Sequence, residues 1–406
     1  MGEYSKLNIM RYIIVTFLLL FSIDSNAQNS KFEEIQLVNS NNYRNELKLS
    51  DIAKRVTYVP LETKDNCLIG NHYWVTVSKE YIFVFMSGEI LQFSSNGKFI
   101  RQINKVGQGP GEIFVRCFTI DEENQLIYAY HNYTHDIYVY NIDGKYLKTI
   151  RDPFKNEASV NGELHLMSIY KNNLMFPLGN DSGECPYKYI VINTEGEIIH
   201  KEINYNKYSI KKSRQIISIP DVNSSPFVID DFSCLLKQEF NDTIFSINPD
   251  YSNTPKYVIK LEKQLTLEED QKLSASVIDI SDISGKNVIY GVTDSETYYY
   301  FYHNKIGIKN RFFSQYNKQT KQLLDNVNFE IVNDWDGGMD IKFEYKHQNP
   351  SVMCVPFWPS EMHEKLTNSH FSKSQAKYPE QKEELKKLLK NVKEEDNPVL
   401  MMIHLK

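Results

Sequence analysis

The clearest hydrophobic pattern in the chain runs through Tyr81–Phe114, where short aromatic and β-branched runs alternate with polar turns. YIFVFM and EILQFS are followed by a Ser-Asn-Gly turn ending at Gly97, and then by KFIRQI. Apolar runs of this length between turn residues predict β-strands. Asn96-Gly97 predicts the positive φ that a tight hairpin needs, and Pro110-Gly111 predicts a type II turn. Such a unit leaves two sheet edges open and cannot fold alone, so it should recur.

It does recur. Gln125–Ile150 reads QLIYAY, HDIYVYN and KYLKTI around an Asp143-Gly144 turn. Asn173–Ile203 reads NLMFPL, KYIVIN and EIIHKEI around Thr194-Glu195-Gly196. Worn copies follow at Pro226–Leu261 (FVID, CLLKQEF, TIFSIN, KYVIKL) and at Asn287–Leu324 (VIYGV, TYYYFYH, FFSQYN, KQLL). A period of about 45 residues belongs with four-stranded, antiparallel propeller blades in an all-β domain. A β-sandwich would not require the turn chemistry to recur in phase.

The flanks carry weaker signals. EEIQLV, starting at Glu33, predicts an edge strand, and Val56–Leu61 predicts a strand leading into the first blade. Tyr378–Val392 predicts a helix, with Pro379 near its start, acids early and lysines late, as the helix dipole favours. The apolar run after Pro398 predicts a terminal strand. Strands at both ends are expected to close the ring by pairing, which removes an exposed edge.

At the start, Lys6 and Arg11 precede the apolar run Tyr12–Ile23, followed by Ser25-Asn26-Ala27. This is the pattern of a secretory signal peptide, too short for a membrane span. The expected organisation is therefore a signal peptide over 1–27 and one propeller domain over 28–406, periplasmic or secreted. No cysteine follows the apolar run, so no lipid anchor is expected.

Composition narrows the partners. A net charge of −6 with interspersed signs leaves no basic footprint for nucleic acid. The five cysteines (Cys67, Cys117, Cys185, Cys234, Cys354) contain no CxxC pair, so neither a zinc site nor a dithiol centre is supported. Burial as small apolar side chains is the expected role, with one long-range disulfide left open.

Candidate chemistry is sparse. Gly107-Gln108-Gly109-Pro110-Gly111 lacks the spacing and the βαβ setting of a phosphate loop and predicts a structural turn. Glu112 and Arg116, just beyond it, are candidates for the central channel. His131, His135 and Asp136 fall in a strand–turn setting, where exposed histidines are the expectation. Asp334, Asp336 and Asp340, interleaved with Gly337 and Gly338, are low-ranking candidates to wrap a hard cation such as Ca²⁺. The alternative is a turn in which the aspartates hydrogen-bond their own backbone. A ligand-facing loop shared by Asp334, Asp336 and Trp358 lies between those readings, since an aromatic beside acids suits a sugar surface. There is no GxSxG motif and no local Ser/His/Asp arrangement. The sequons at Asn132, Asn180, Asn223 and Asn241 read as chance, and Lys211–Arg214 as a solvated loop.

VPLET (Val59–Thr63), DNCLIG (Asp65–Gly70), NGKFIRQI (Asn96–Ile103) and GQGPGE (Gly107–Glu112) occur in order, as do NDWDGG (Asn333–Gly338), PFWP (Pro356–Pro359) and EEDNPVL (Glu394–Leu400). Together they resemble the six-bladed β-propeller family of exported Bacteroidetes proteins, which is similar to NHL-repeat propellers and mostly of unassigned function. The resemblance implies six blades. The leading functional expectation is a binding or scaffolding protein of the cell envelope without a cofactor. Its partner would be a glycan, peptide or envelope protein. The alternative it implies is a hydrolase or lactonase-like enzyme with a divalent cation in the channel, by analogy of fold.

Overall fold

The computed structural model describes residues 33–37, 47–131, 133–157, 164, 166–179, 184–205, 207, 227–229, 234–237, 241–266, 269, 285–305, 311–327, 330–342, 351–367 and 369–406. The signal peptide with its Ser25–Ala27 cleavage motif, the Lys211–Arg214 cluster and the sequons at 132, 180 and 223 lie outside them.

Six blades form the ring. The first is Tyr73–Val77, Tyr81–Met86, Glu89–Ser94 and Phe99–Gln102, an antiparallel meander. Its innermost strand, YWVTV, is shorter on apolar residues than its neighbours and escapes the sequence pattern. The next two blades span Cys117–Ile150 and Ser168–Ile203, and the fourth and fifth span Phe227–Leu261 and Asn287–Val327. The turn glycines recur in phase as predicted: Gly97, Gly144 and Gly196 have φ of 86°, 76° and 89°. Gly111 in the predicted type II turn has φ 76°.

Strand alternation explains why the blades read as nearly continuous apolar runs. In Tyr81–Met86, Ile82 and Val84 join one apolar cluster while Phe83 joins another with Phe118 and Ile127 of the second blade. Each middle strand is thus buried on both faces, one against each neighbouring blade. Six such clusters occur, each drawing on two adjacent blades, so the core is a ring of interfaces rather than one centre.

The sixth blade joins the chain ends. Val399–Leu405 pairs with Val352–Phe357 on one side and with Ala53–Pro60 on the other. Val399, Met401 and Ile403 pack toward the fifth blade, Leu400 and Met402 toward the first. Closure by terminal strands holds: the strand expected at 56–61 builds the sixth blade before the chain enters the first. Among the described residues this blade has three strands, where four were expected.

Two more departures concern the flanks. Glu33–Leu37 is an edge strand, but it runs parallel to Asn253–Leu261 as a fifth strand of the fourth blade. Ile35 and Leu37 bury themselves between the fourth and fifth blades, and Glu33 is bound by Tyr316 and Lys321. Between the first two strands of the closing blade lie three helices rather than one: Pro359–Leu366, Ser369–Lys373 and Pro379–Asn391. The last has Pro at its first position and buries Leu385 and Leu389 under the ring. None of the five cysteines forms a disulfide.

Candidate functional site

Two short strands, Glu330–Val332 and Ile341–Lys342, hold the loop that carries the three aspartates. The loop is fixed by its own acids. Asp334 accepts from Ser50 through both oxygens, N–H to Oδ1 at 2.9 Å and Oγ–H to Oδ2 at 2.7 Å. Asp340 Oδ1 accepts from the Asn333 N–H at 2.7 Å. Asp336 Oδ1 accepts from Gly338 N–H at 2.8 Å and from Asn333 Nδ2 at 2.7 Å. The three carboxylates therefore serve three separate backbone sites. Among the described residues no group of three His, Cys, Asp or Glu side chains gathers as a metal site requires.

Asp336 is the unusual member. Its residue is 1% exposed, and Oδ2 lacks a well-aligned hydrogen bond among the described residues. The Tyr58 hydroxyl is the group placed to donate to this carboxyl. Burial pushes the carboxyl's pKa up, against the hydrogen bonds from Gly338, Tyr58 and Asn333 that pull it down. Burial also pushes the Tyr58 hydroxyl well up, and the neighbouring Asp336 charge adds to the shift. Tyr58 is half-buried as a residue because only its hydroxyl end is tucked toward Asn333, 3.4 Å away.

The loop is pinned to the approach of the last helix. Lys377 N–H donates to Asp334 O at 2.8 Å, Tyr378 N–H to Trp335 O at 2.9 Å, and Ser374 Oγ–H to Gly337 O at 3.0 Å. Trp335 lies against Tyr378 with ring centroids 4.2 Å apart. Gly337 has φ 70°, and a Cβ there would stand 2.4 Å from Ser374 Oγ. The close approach of loop to helix thus requires glycine at this place.

What this packing frames is a cleft of about 390 Å³ between the Ala53–Pro60 strand and the Pro379–Asn391 helix. Arg55, Val56, Thr57 and Tyr58 form one wall, Trp335 and Tyr378 the end, and Glu380, Gln381, Glu384, Leu385 and Leu388 the other wall. The volume lies toward the lower end of the range of small-ligand sites, and the lining joins aromatic and aliphatic side chains to the charged Arg55, Glu380 and Glu384.

The other sequence candidates are not assembled here. Trp358 is the residue before the Pro359–Leu366 helix; it packs edge-on to Tyr73 at 5.8 Å, in the cluster between the sixth and first blades. It does not share the aspartate loop's apolar cluster. Glu112 folds back over its own turn, Oε2 accepting from Gly109 N–H at 2.9 Å. A Cβ at Gly107 would stand 2.1 Å from that oxygen, so the GQGPGE motif is a structural turn. Arg116 is exposed at the entry to the second blade, its N–H bound to Tyr130 O. His135 Nδ1 pairs with the Tyr130 hydroxyl at 2.6 Å and His131 Nδ1 with Thr134 Oγ1 at 3.0 Å, while Asp136 is held by Arg151.

Residues 32–404 match the family described as Domain of unknown function (DUF4934). The chain belongs to the DUF4934 family. No curated protein matches it. The DUF4934 chain is similar in structure to a Bacteroides fragilis protein described as exported, at 17% identity and TM-score 0.66, over 92% of this chain and 99% of that one. A Bacteroides vulgatus member of the DUF4221 family follows at 10% identity and TM-score 0.45, over 89% and 98% of the two chains. A virginiamycin B lyase from Staphylococcus aureus aligns at 14% identity and TM-score 0.37, over 67% and 73%. The first of these supports the propeller fold. In the DUF4934 chain no helix among the described residues is long and apolar enough to cross a membrane.

Proposed function

We propose that this DUF4934 protein is an exported binding or scaffolding protein of the cell envelope, and that its ligand enters the cleft beside the closing blade. The observation that carries this reading is the cleft itself. Its loop is locked by aspartate hydrogen bonds and its aromatic end by the Trp335–Tyr378 contact, so its walls are set before any ligand arrives. Preformed walls lower the ordering cost of binding. The signal-peptide pattern and the likeness to a protein described as exported support the location. A hydrolase or lactonase-like activity with a cation finds no ligand set among the described residues.

The test is a binding screen of the intact mature protein against glycan and peptide arrays, repeated with Glu384→Arg. Glu384 is exposed on the cleft wall, so the variant should fold normally. Binding that is weakened in Glu384→Arg supports the cleft. Binding that is indifferent to it moves the ligand elsewhere on the ring.

A further inference from the structure

Among the described residues the first, second, third and fifth blades have four strands and the fourth has five, but the sixth has three, and the strand that ends it is Ala53–Pro60. On one side this strand pairs with Val399–Leu405; on the other no described strand pairs with it. The phase of the ladder says which of its groups are left over. Leu61 N–H donates to Pro398 O at 3.1 Å, so Leu61 and Pro398 face each other as a bonded pair. In an antiparallel ladder bonded and non-bonded pairs alternate. Val59, Thr57 and Arg55 then bond to Leu400, Met402 and His404, and Val56 and Tyr58 turn their N–H and C=O groups to the open edge; Lys54 is the extra residue of a bulge, where the register shifts. At Pro60 the edge is covered, since Gly97 of the first blade approaches the Pro60 carbonyl so closely that a Cβ would stand 2.1 Å from it. The open stretch is therefore Val56–Tyr58, and all three of its residues line the cleft together with Arg55.

An open sheet edge is usually paired, covered or charged. Here the Pro379–Asn391 helix stands across from it, with the cleft between them. We propose that the cleft takes an extended peptide, which joins the sixth blade as its fourth strand. This rests on the reading of the cleft as the ligand site and names the ligand class. Strand addition supplies main-chain hydrogen bonds for affinity and leaves alternate side chains to give specificity.

The helix wall indicates those side chains. Glu380 and Glu384, both exposed, lie one turn apart, about 6 Å along the axis. An extended strand advances about 6.6 Å every two residues. A peptide lying along Arg55–Tyr58 with basic residues at i and i+2 places one opposite each glutamate. Trp335, Tyr378 and Leu388 offer apolar contact to the stems of those side chains. The partner is thus an extended segment with Lys or Arg at alternate positions.

The experiment is an affinity selection of acetylated, amidated peptides of about seven residues, all positions varied, against the intact mature protein. Selected peptides should carry Lys or Arg at i and i+2. In titration calorimetry, N-methylation of one alternate set of amides should weaken the selected peptide about tenfold or more per site, and methylation of the other set should not. Glu380→Gln with Glu384→Gln should weaken binding several-fold with an unchanged urea midpoint. A side-chain-only mode of binding would not show the alternation. Failure to select any peptide, or N-methyl sensitivity without period two, overturns the proposal. If glycans bind and Glu384→Arg weakens them while no peptide is selected, the cleft stands and the peptide assignment falls. If neither class binds, both fall.

Discussion

The prediction that discriminates most sharply among roles for the aspartate loop is Asp336→Asn. The wild-type carboxyl is buried and accepts two hydrogen bonds at Oδ1, from Gly338 N–H and Asn333 Nδ2. The amide oxygen of asparagine can accept both, and its Nδ2 can donate to the Tyr58 hydroxyl in place of the reverse bond. Asp336→Ala instead orphans both donors, at about 1–3 kcal/mol each, so the two variants should differ by about 2–6 kcal/mol. The charge itself opposes folding. Burial raises the folded pKa of Asp336 above its unfolded value. A raised carboxyl pKa means that the folded state holds the proton to higher pH. Below the unfolded pKa, about 3.9, both states are protonated and there is no penalty. As pH rises through the folded pKa the penalty appears in full and then stays constant. The stability of the parent minus that of Asp336→Asn should therefore fall as pH rises from about 4 through the folded pKa, and then level off. Urea unfolding of parent, Asn and Ala variants across that range measures it. At neutral pH the Asn variant should match or exceed the parent, and neither Ca²⁺ nor chelator should move either curve. An Asn variant about 2 kcal/mol or more weaker at pH 7, with a parent stabilised by Ca²⁺, would show that the charge holds a cation and would refute this account.

Asn397 is 3% exposed and staples the sixth blade to the loop entering the first, accepting from Ile69 N–H and donating to Glu62 O and Cys67 O. Asn397→Ala should cost about 3 kcal/mol or more by chemical denaturation, because buried polar groups on both segments lose their partners. Gly337→Ala meets both a positive φ and Ser374 Oγ, and should cost about 1–3 kcal/mol while leaving the far blades' hydrogen-exchange protection unchanged.

Much of the ring was legible in the sequence because both faces of the middle strands are buried and their turns demand glycine. Leu174–Phe176 or Ile190–Ile192 can be nothing but interior, and the positive φ of the turns at Gly144 and Gly196 is one that glycine adopts at no steric cost. The sixth blade was legible in part: its two terminal strands and their pairing could be expected, but the strand at 352–357 could not, since no local period links 53–60, 352–357 and 399–405. For the aspartate loop the sequence leaves three alternatives open; in the structure its carboxylates accept hydrogen bonds from Ser50, Asn333 and Gly338. Trp358 is placed with the loop in the sequence reading because an aromatic beside acids suits a sugar surface, and its ring packs against Tyr73 between the sixth and first blades. The cleft escaped because its walls lie far apart in the chain. In retrospect Glu380 and Glu384, at i and i+4 beside the buried Leu385, mark a helix face left toward solvent.

The open edge of the closing blade is tested most directly by amide hydrogen exchange, read residue by residue over Arg55–Val59. The ladder phase predicts slow exchange for Arg55, Thr57 and Val59 and fast exchange for Val56 and Tyr58, with the fast pair becoming slow when a ligand peptide is added. Equal and strong protection of all five amides in the unliganded protein would mean that the edge is already paired, and would contradict the account.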